Sequence, residues 1–256
     1  MQVLDMSPYQ PYRPMARTCL TRPIRDKQVV WVKPPLETHP QGGFVGRPLA
    51  RADIDASARL WRQAYPEVYG SSQDFLLYPE EYESKFALVE TWDADARTKP
   101  GCMLVVEELV SGHLVAASLM TKFDKNLQVE YTFAGTHPDY RRRGLMGLLG
   151  KMMYRMVLAS GAEYLTTFLE TWHTITQDET LKKGHGWKIA GIFPGNITRW
   201  AGGQEEYRAC IVYMYQFIND GDKFATRPEE WQLHPQVRRL WEEMELCHSR
   251  LGRDSR

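Results

Sequence analysis

An arginine- and glycine-rich turn between two apolar segments constrains this chain more than any other feature of its sequence. Residues 140–147 read Tyr-Arg-Arg-Arg-Gly-Leu-Met-Gly, between a strand-like run at 129–136 and a helix-like run at 145–158. The N–H groups that open a helix lack internal partners, glycine lets the backbone approach an anion closely, and the helix dipole adds positive potential. The pattern therefore predicts a strand, a loop that binds a diphosphate, and a helix, with three arginines as counter-charge.

This loop differs from the common nucleotide-binding loops. No Gly-Lys-Ser/Thr follows its glycines, and Gly-x-Gly-x-x-Gly does not occur. From His137 to Leu149 it resembles the signature of the GNAT acyltransferase superfamily, which is Arg/Gln-x-x-Gly-x-Gly/Ala after a proline and before a leucine-rich helix. The resemblance implies that the loop holds the pyrophosphate of acetyl-CoA, or of another acyl-CoA, as co-substrate. The cofactor-binding residues that it implies are Arg141, Arg142, Arg143, Gly144, Leu145, Met146 and Gly147.

The match leaves two points open. Met146 stands where Gly or Ala is usual, so its side chain either narrows the approach to the pyrophosphate or is rotated away. The simpler alternative is an arginine-rich turn that binds nothing, because Gly and Arg are common in turns.

Apolar periodicity and turn residues predict the surrounding elements. Strands 127–136 and 162–169, joined by helix 145–158, form a strand–helix–strand unit whose strands should be parallel. The sequence thus predicts an α+β fold of the GNAT type: a mixed, mostly antiparallel sheet with this crossover at its centre and flanking helices. The other predicted strands cover residues 44–49, 103–109, 114–123, 187–193 and 207–217, with a Gly-rich loop between the last two, and the other predicted helices cover residues 54–65, 79–88 and 174–183.

Changes in sequence texture predict three parts. Residues 1–42 form a Pro-rich arm, residues 43–219 an acyltransferase domain, and residues 220–256 a helical appendage. The apolar stretch 29–32 should pack on the domain or on a partner. A helix that opens at Pro235 should dock on the domain or pair with a second copy in a homodimer. Its predicted apolar stripe comprises Val237, Leu240, Trp241, Met244 and Cys247.

Charge and cysteine usage limit the function classes. Lys plus Arg and Asp plus Glu are 32 each, so the chain has no global field to attract nucleic acid or an anionic membrane. It contains neither an apolar run that could span a bilayer nor a signal peptide, so a cytoplasmic location is expected. Four dispersed cysteines are expected to be buried in a reducing compartment, and neither a metal site nor a disulfide is predicted.

Acyl transfer to an amine needs a base, and the sequence offers Glu130 on the strand that leads into the loop. The family resemblance implies that this glutamate acts as the base through water. Burial in an apolar strand would raise its pKa, whereas an outward orientation would leave it in solvent. The resemblance also places the main chains of Ala134 and Thr136 against the pantetheine arm.

The group that protonates the leaving thiolate is less clear. The tyrosine that serves this role in many family members falls at Lys182, so the usual acid is missing. Lys182, His185, His173, Thr176 or water could replace it. Trp172 and His173 follow the second parallel strand and are predicted to form a rim for the acceptor; alternatively they are a core Trp and a structural His.

These features together predict a cytoplasmic, CoA-dependent N-acyltransferase, in the simplest case an N-acetyltransferase, that acts on a small-molecule primary amine. Two alternatives remain open at this point. One is a non-catalytic, acyl-CoA-binding regulatory module of GNAT type, and the other is transfer of a bulkier acyl group to an amino acid or a lipid precursor.

Overall fold

A mixed sheet organises the chain. The structure, a computed structural model, describes residues 18–22, 27–182 and 186–251. The strands are β1 (Glu37–Thr38), β2 (Phe44–Pro48), β3 (Phe86–Ala87), β4 (Gly101–Glu108), β5 (Leu114–Phe123), β6 (Gln128–Thr136), β7 (Tyr164–Glu170), β8 (Lys188–Gly202) and β9 (Glu205–Phe217). The helices are α1 (Ile54–Ala64), α2 (Tyr82–Lys85), α3 (Trp92–Thr98), α4 (Leu145–Ala159), α5 (Thr174–Lys182) and α6 (Pro235–Leu251).

The strand order is β1-β2-β4-β5-β6-β7-β9-β8, and β3 adds to β4. Pairing is parallel between β6 and β7 and between β3 and β4, and antiparallel elsewhere along the described sheet. This arrangement confirms the predicted α+β fold, including the parallel strand–helix–strand unit of β6, α4 and β7. Helices flank the sheet, as predicted.

Helix α4 forms where the sequence predicts it, because its apolar residues recur every three or four positions. All members of that stripe are buried against the sheet. They are Leu145, Leu148, Leu149, Met152, Met153, Met156 and Val157. A second apolar layer, between α1 and the other face of the sheet, includes Trp61, Leu119 and Phe133. The two layers hold β6 between them.

A bulge in β6 separates it from β7. Leu119 of β5 is opposite Phe133 and Met120 is opposite Tyr131, so Thr132 is an extra residue without a partner on β5 in the described sheet. The parallel pairing with β7 ends at the same level, at Tyr131 and Thr167. Beyond this point the two strands diverge, and we call the opening between them the β6–β7 gap.

Part of the proline-rich arm packs on the domain. For the stretch 29–32, the sequence predicted packing either on the domain or on a partner, and the structure shows the first. Val29 and Trp31 are 0% and 1% exposed and belong to the core on the α4 side. The buried Lys122 ammonium fixes this segment by donating hydrogen bonds to the carbonyls of Val29 at 2.6 Å, Ala96 at 2.9 Å and Arg97 at 2.9 Å. Burial lowers the pKa of Lys122.

Replacing Lys122 with Met should destabilise the protein. The substitution keeps an aliphatic stem but leaves the Val29 carbonyl without a donor among the described residues, which typically costs about 1–3 kcal/mol, whereas the Ala96 and Arg97 carbonyls still accept from Trp31 N–H and Gln28 Nε2. Urea denaturation should show a lower midpoint with an unchanged slope. The control is Lys125→Met on the exposed turn after β5, which should leave the midpoint in place. Equal midpoints for Lys122→Met and the wild type would contradict this account of the arm.

The structure corrects several predicted elements. The helix expected at 79–88 is a 3₁₀ turn, Pro79–Glu81, followed by the short α2, because Phe86 and Ala87 instead pair with β4. The Gly-rich loop expected around 195–203 is mostly strand, since β8 continues to Gly202 and pairs with β9 through three irregularities in register. Asp53, an acidic residue before α1 that would be expected to cap the helix with its side chain, occupies the N-cap position without a side-chain capping bond; its carboxylate instead accepts hydrogen bonds from Ala50 N–H and the Arg47 guanidinium.

On helix α6, Trp241 and Met244 of the predicted stripe are half-buried, as are Glu245 and His248, which bond to β8. Lys188 donates to Glu245 at 2.8 Å, and the Ile189 N–H donates to His248 Nε2 at 2.8 Å. Val237, Leu240 and Cys247 of the predicted stripe are exposed. The expectation of four buried cysteines is therefore wrong for Cys247, and only partly met by Cys19 and Cys210, which are half-buried. Of the helices that the structure describes, none has the length and apolar character needed to cross a membrane.

Candidate active site

The predicted diphosphate loop lies between the end of β6 and the start of α4. Gly144 is the N-cap of α4 with φ +76°, and Arg142 also has a positive φ, +63°. Residues 141–144 are exposed. Within the ranges 18–22, 27–182 and 186–251, no group accepts a hydrogen bond from the backbone N–H groups of residues 142–146. The loop therefore presents a set of main-chain donors at the positive end of a helix dipole.

The two loop glycines have different surroundings. A Cβ on Gly144 would lie 3.2 Å from His39 Nε2, and the positive φ there disfavours any side chain. Gly147 lies in the first turn of α4, and none of the described atoms lies within 4 Å of its Cβ position. Met146 packs against the core on the α4 side. Its side chain is therefore rotated away from the loop, which was one of the two alternatives for this position.

Two of the three arginines are held by protein groups. Arg141 donates to the carbonyls of Thr136 and Ala64, each at 3.5 Å. Arg143 donates to the Asp139 carbonyl at 3.2 Å and lies over the Tyr140 ring at 4.8 Å. Both remain exposed, so their charge stays available to an anion on the loop.

The main chains of Ala134 and Thr136 face the β6–β7 gap. His137 N–H donates to Val115 O of the β5 end, and hydrogen-bonding direction alternates along a strand. The N–H and C=O groups of Thr136 and Ala134 consequently face away from β5. The Thr136 carbonyl also accepts the bond from Arg141, which leaves its N–H for another partner.

Glu130 lies on β6 before the bulge, beside Thr166 of β7. It is half-buried and lines a groove of about 470 Å³ on the α1 face of the sheet. The other residues that line the groove are Ser72, Gln73, Phe168, Phe193, Asn196, Ile197, Ile211 and Tyr213. A larger cavity, of about 720 Å³, lies between the N-terminal segment and β2, and its described lining includes neither Glu130 nor the loop.

The surroundings of Glu130 suit a base. Burial raises the pKa of its carboxyl, and a hydrogen bond from Thr166 opposes that shift. The Thr166 hydroxyl lies 3.5 Å from Glu130 Oε2 and accepts a hydrogen bond from Gln128 at 2.8 Å. The direction of the shift is the one expected from the sequence. Strand β6 thus carries the Glu130 carboxylate, whose pKa is raised, and the main-chain groups of Ala134 and Thr136 that face the gap. Its carboxyl end leads into the diphosphate loop.

Trp172 and His173, the predicted rim for the acceptor, follow the carboxyl end of β7. Trp172 is 51% exposed, so it does not fill core space. The His173 ring is partly buried, which lowers its pKa, and it contacts the Tyr65 ring edge-on at 6.4 Å. Tyr65 in turn packs on Phe133 at the gap. The structure therefore brings His173 to the gap, with Trp172 on the solvent side of it.

The sequence did not identify the ion pair below this group. Arg199 Nε donates to Glu170 Oε1 at 2.5 Å, and the two side chains are 1% and 3% exposed. The Arg199 guanidinium lies over the rings of Tyr65 and Phe133, at 5.6 and 5.5 Å. Burial and the nearby Glu170 carboxylate raise the pKa of Tyr65. No local motif marks these residues, because Glu170 lies on β7, Arg199 on β8 and Phe133 on β6, while Tyr65 directly follows α1.

The candidates for protonating a thiolate are separated in the structure. Lys182 is exposed and donates to Asp178 on the same helix at 2.8 Å. Thr176 is also exposed. His185 lies outside the described residues. Of the candidates that the structure describes, His173 is the one placed at the gap.

Comparison with known proteins identifies the fold and leaves the sequence without a close relative. No protein-family model and no curated protein sequence matches this chain. A ribosomal-protein-S5-alanine acetyltransferase from Vibrio fischeri superimposes with a TM-score of 0.54 at 10% identity, over 73% of this chain and 98% of that protein. An acetyltransferase of the GNAT family from Streptococcus pneumoniae gives a TM-score of 0.51 at 18% identity, over 69% of this chain and 99% of that protein.

Proposed function

Because the chain has the fold of the GNAT acetyltransferases, we propose that it is a CoA-dependent N-acyltransferase that moves an acetyl or other short acyl group to a primary amine. One observation carries the proposal. Strand β6 joins a carboxylate whose pKa is raised, a gap that the main chains of Ala134 and Thr136 face, and a loop whose N–H groups at 142–146 have no acceptor among the described residues. Acyl transfer from a thioester whose pantetheine arm leads to a diphosphate uses these three parts in that order.

The acyl-CoA is held at two places. The N–H groups of residues 142–146 and the three arginines bind its diphosphate. The main chains of Ala134 and Thr136 pair with the amides of the pantetheine arm in the β6–β7 gap. The thioester carbonyl then lies near the bulge at Thr132, between the two strands.

Two protons leave the acceptor nitrogen, because an ammonium becomes an amide. Glu130 takes the first proton from the bound ammonium through a water molecule, which frees the nitrogen lone pair. The nitrogen forms a bond to the thioester carbon, its second proton passes to water, and the C–S bond breaks as the tetrahedral intermediate collapses. The thiolate takes a proton from water or from His173, since a thiol pKa near 8.5 makes it a good leaving group. The products are an amide and CoA.

The acceptor is a small-molecule amine that enters beside Trp172 and His173. Aromatic faces bind ammonium groups, and Trp172, Tyr65 and Phe168 lie around this end of the gap. Glu170 and Glu130 place two carboxylates on the same side of the sheet, with Arg199 paired to the first. A cationic acceptor fits this surface better than an anionic one.

One observation favours a second candidate, a regulatory module that binds acyl-CoA without transferring it. Lys182, at the position of the usual acid, points to solvent and pairs with Asp178. A protein that only senses acyl-CoA needs the loop and the gap, and it does not need a base or an acid.

Following free thiol during incubation with acetyl-CoA tests the two candidates together. The panel of acceptors contains primary amines, amino acids and polyamines, and longer acyl donors are included. For the transferase, we expect release of CoA that depends on at least one amine and saturates with its concentration. Tight binding of acetyl-CoA by calorimetry, with no amine-dependent release across the panel, would overturn the transferase and favour the module.

A further inference from the structure

His39 lies in the turn between β1 and β2, outside the segment that the sequence assigns to cofactor binding. Its side chain is 7% exposed. The backbone holds it on both sides, because its N–H donates to Phe44 O at 2.9 Å and its carbonyl accepts from Gly42 N–H at 2.8 Å. The ring also packs edge-on against Phe44, with centroids 6.1 Å apart. His39 is therefore fixed in position before any ligand binds.

The hydrogen bonds of the ring determine which nitrogen carries the proton. Nδ1 accepts a hydrogen bond from Gln41 N–H at 3.3 Å. In the neutral imidazole one nitrogen accepts and the other donates, so the hydrogen-bond pattern assigns the proton to Nε2. Nε2 is thus a donor.

This donor is directed at the diphosphate loop. Nε2 is the atom nearest to the Cβ position of Gly144, at 3.2 Å. Nε2 has no acceptor in the part of the chain that the structure describes, and the 7% of the residue that remains exposed leaves the ring within reach of a ligand on the loop. Gly144 lies in the middle of residues 142–146, whose N–H groups have no acceptor among the described residues, so Nε2 lies next to those main-chain donors.

Other contacts keep the turn against α4. Glu37 of β1 forms an ion pair with Arg155 of α4. Phe44 also packs edge-on against Tyr140 of the loop, at 6.1 Å. These contacts fix the position of the turn that carries His39 relative to α4 and the loop.

We propose that His39 is a ligand of the acyl-CoA diphosphate and donates a hydrogen bond from Nε2 to a phosphate oxygen. The proposal rests on the proposed function, because it concerns the same cofactor. Arg141 and Arg143 already bond to protein carbonyls, whereas His39 is held in place and its Nε2 has no acceptor among the residues that the structure describes. The N-terminal segment thus completes the phosphate site.

Two substitutions separate hydrogen bonding from packing. His39→Met keeps an apolar side chain of similar reach and removes the donor, and His39→Gln restores a donor near the position of Nε2. We expect His39→Met to weaken acetyl-CoA binding by about tenfold or more, as for loss of a hydrogen bond to a charged group. His39→Gln should bind within about threefold of the wild type, by the same arithmetic. Calorimetry gives these affinities.

The comparison ligand is acetyl-pantetheine, which lacks the phosphates, measured by displacement. Its affinity should be the same in the wild type and in both variants. Equal weakening of acetyl-CoA and acetyl-pantetheine, or an unchanged acetyl-CoA affinity in His39→Met, would overturn the assignment and leave the proposed function standing. Failure of the wild type to bind acetyl-CoA would overturn both.

Discussion

Glu130→Gln is expected to lower kcat by about 10²–10⁴ while acetyl-CoA affinity stays unchanged. The amide keeps the size of the side chain in the groove and can still interact with Thr166, but it cannot take a proton from the acceptor. The loss should therefore appear in turnover on the true acceptor. Steady-state kinetics and calorimetry on the same preparation measure the two quantities.

The pH profile gives a sharper signature of the same role. The base works in its ionised form, and burial raises the Glu130 pKa above its ordinary value of 4.5. The rate of the wild type should thus rise with pH through that raised pKa, and Glu130→Gln should lack this rise. Glu206→Gln, on the exposed end of β9, is the matched control and should behave as wild type. If Glu130→Gln keeps wild-type turnover, another residue or bulk water is the base.

Gly144→Val is expected to remove most of the affinity for acetyl-CoA, by about a hundredfold or more. A β-branched residue is disfavoured at φ +76°, and its Cβ would lie 3.2 Å from His39 Nε2, so the loop must move. Movement displaces several N–H donors, each worth about 1.5–3 kcal/mol to a charged phosphate. Calorimetry on a variant shown to be folded by circular dichroism measures the loss.

Gly150→Ala is the matched control, because this position lies within α4 outside the loop, and none of the described atoms lies within 4 Å of its Cβ position. We expect its affinity to stay within about threefold of the wild type, a difference of less than 1 kcal/mol. Unchanged affinity in folded Gly144→Val would exclude the loop from cofactor binding.

The parts that the sequence predicted depend on local signals. Helix α4 follows from its apolar period, and the loop before it from glycine and arginine at a strand-to-helix boundary. The three antiparallel strands β4, β5 and β6 follow from apolar runs between short turns. The fold class required little beyond these elements, because a parallel strand pair joined by a helix leaves few arrangements for the strands around it.

The features of the fold and the site that could not be predicted from the sequence depend on contacts between distant segments. Arg199 reads as an ordinary polar residue until β8 places it beside Glu170 of β7. His39 lies in the predicted proline-rich arm, and no sequence motif connects it with the loop. The β1–β2 hairpin brings it next to Gly144. Helix α6 bonds to β8 through Glu245 and His248, which apolar periodicity does not identify, and only Trp241 and Met244 of the predicted stripe are half-buried.

The central claim is that this protein moves an acyl group from CoA to an amine at Glu130. Mass spectrometry of quenched reactions, which detects the acylated amine and free CoA together, tests it most directly. The account predicts that the wild type forms the amide and CoA in equal amounts with at least one primary amine, and that Glu130→Gln forms far less of both with acetyl-CoA still bound. Release of CoA without any acylated amine, or amide formation that is unaffected in Glu130→Gln, would contradict it.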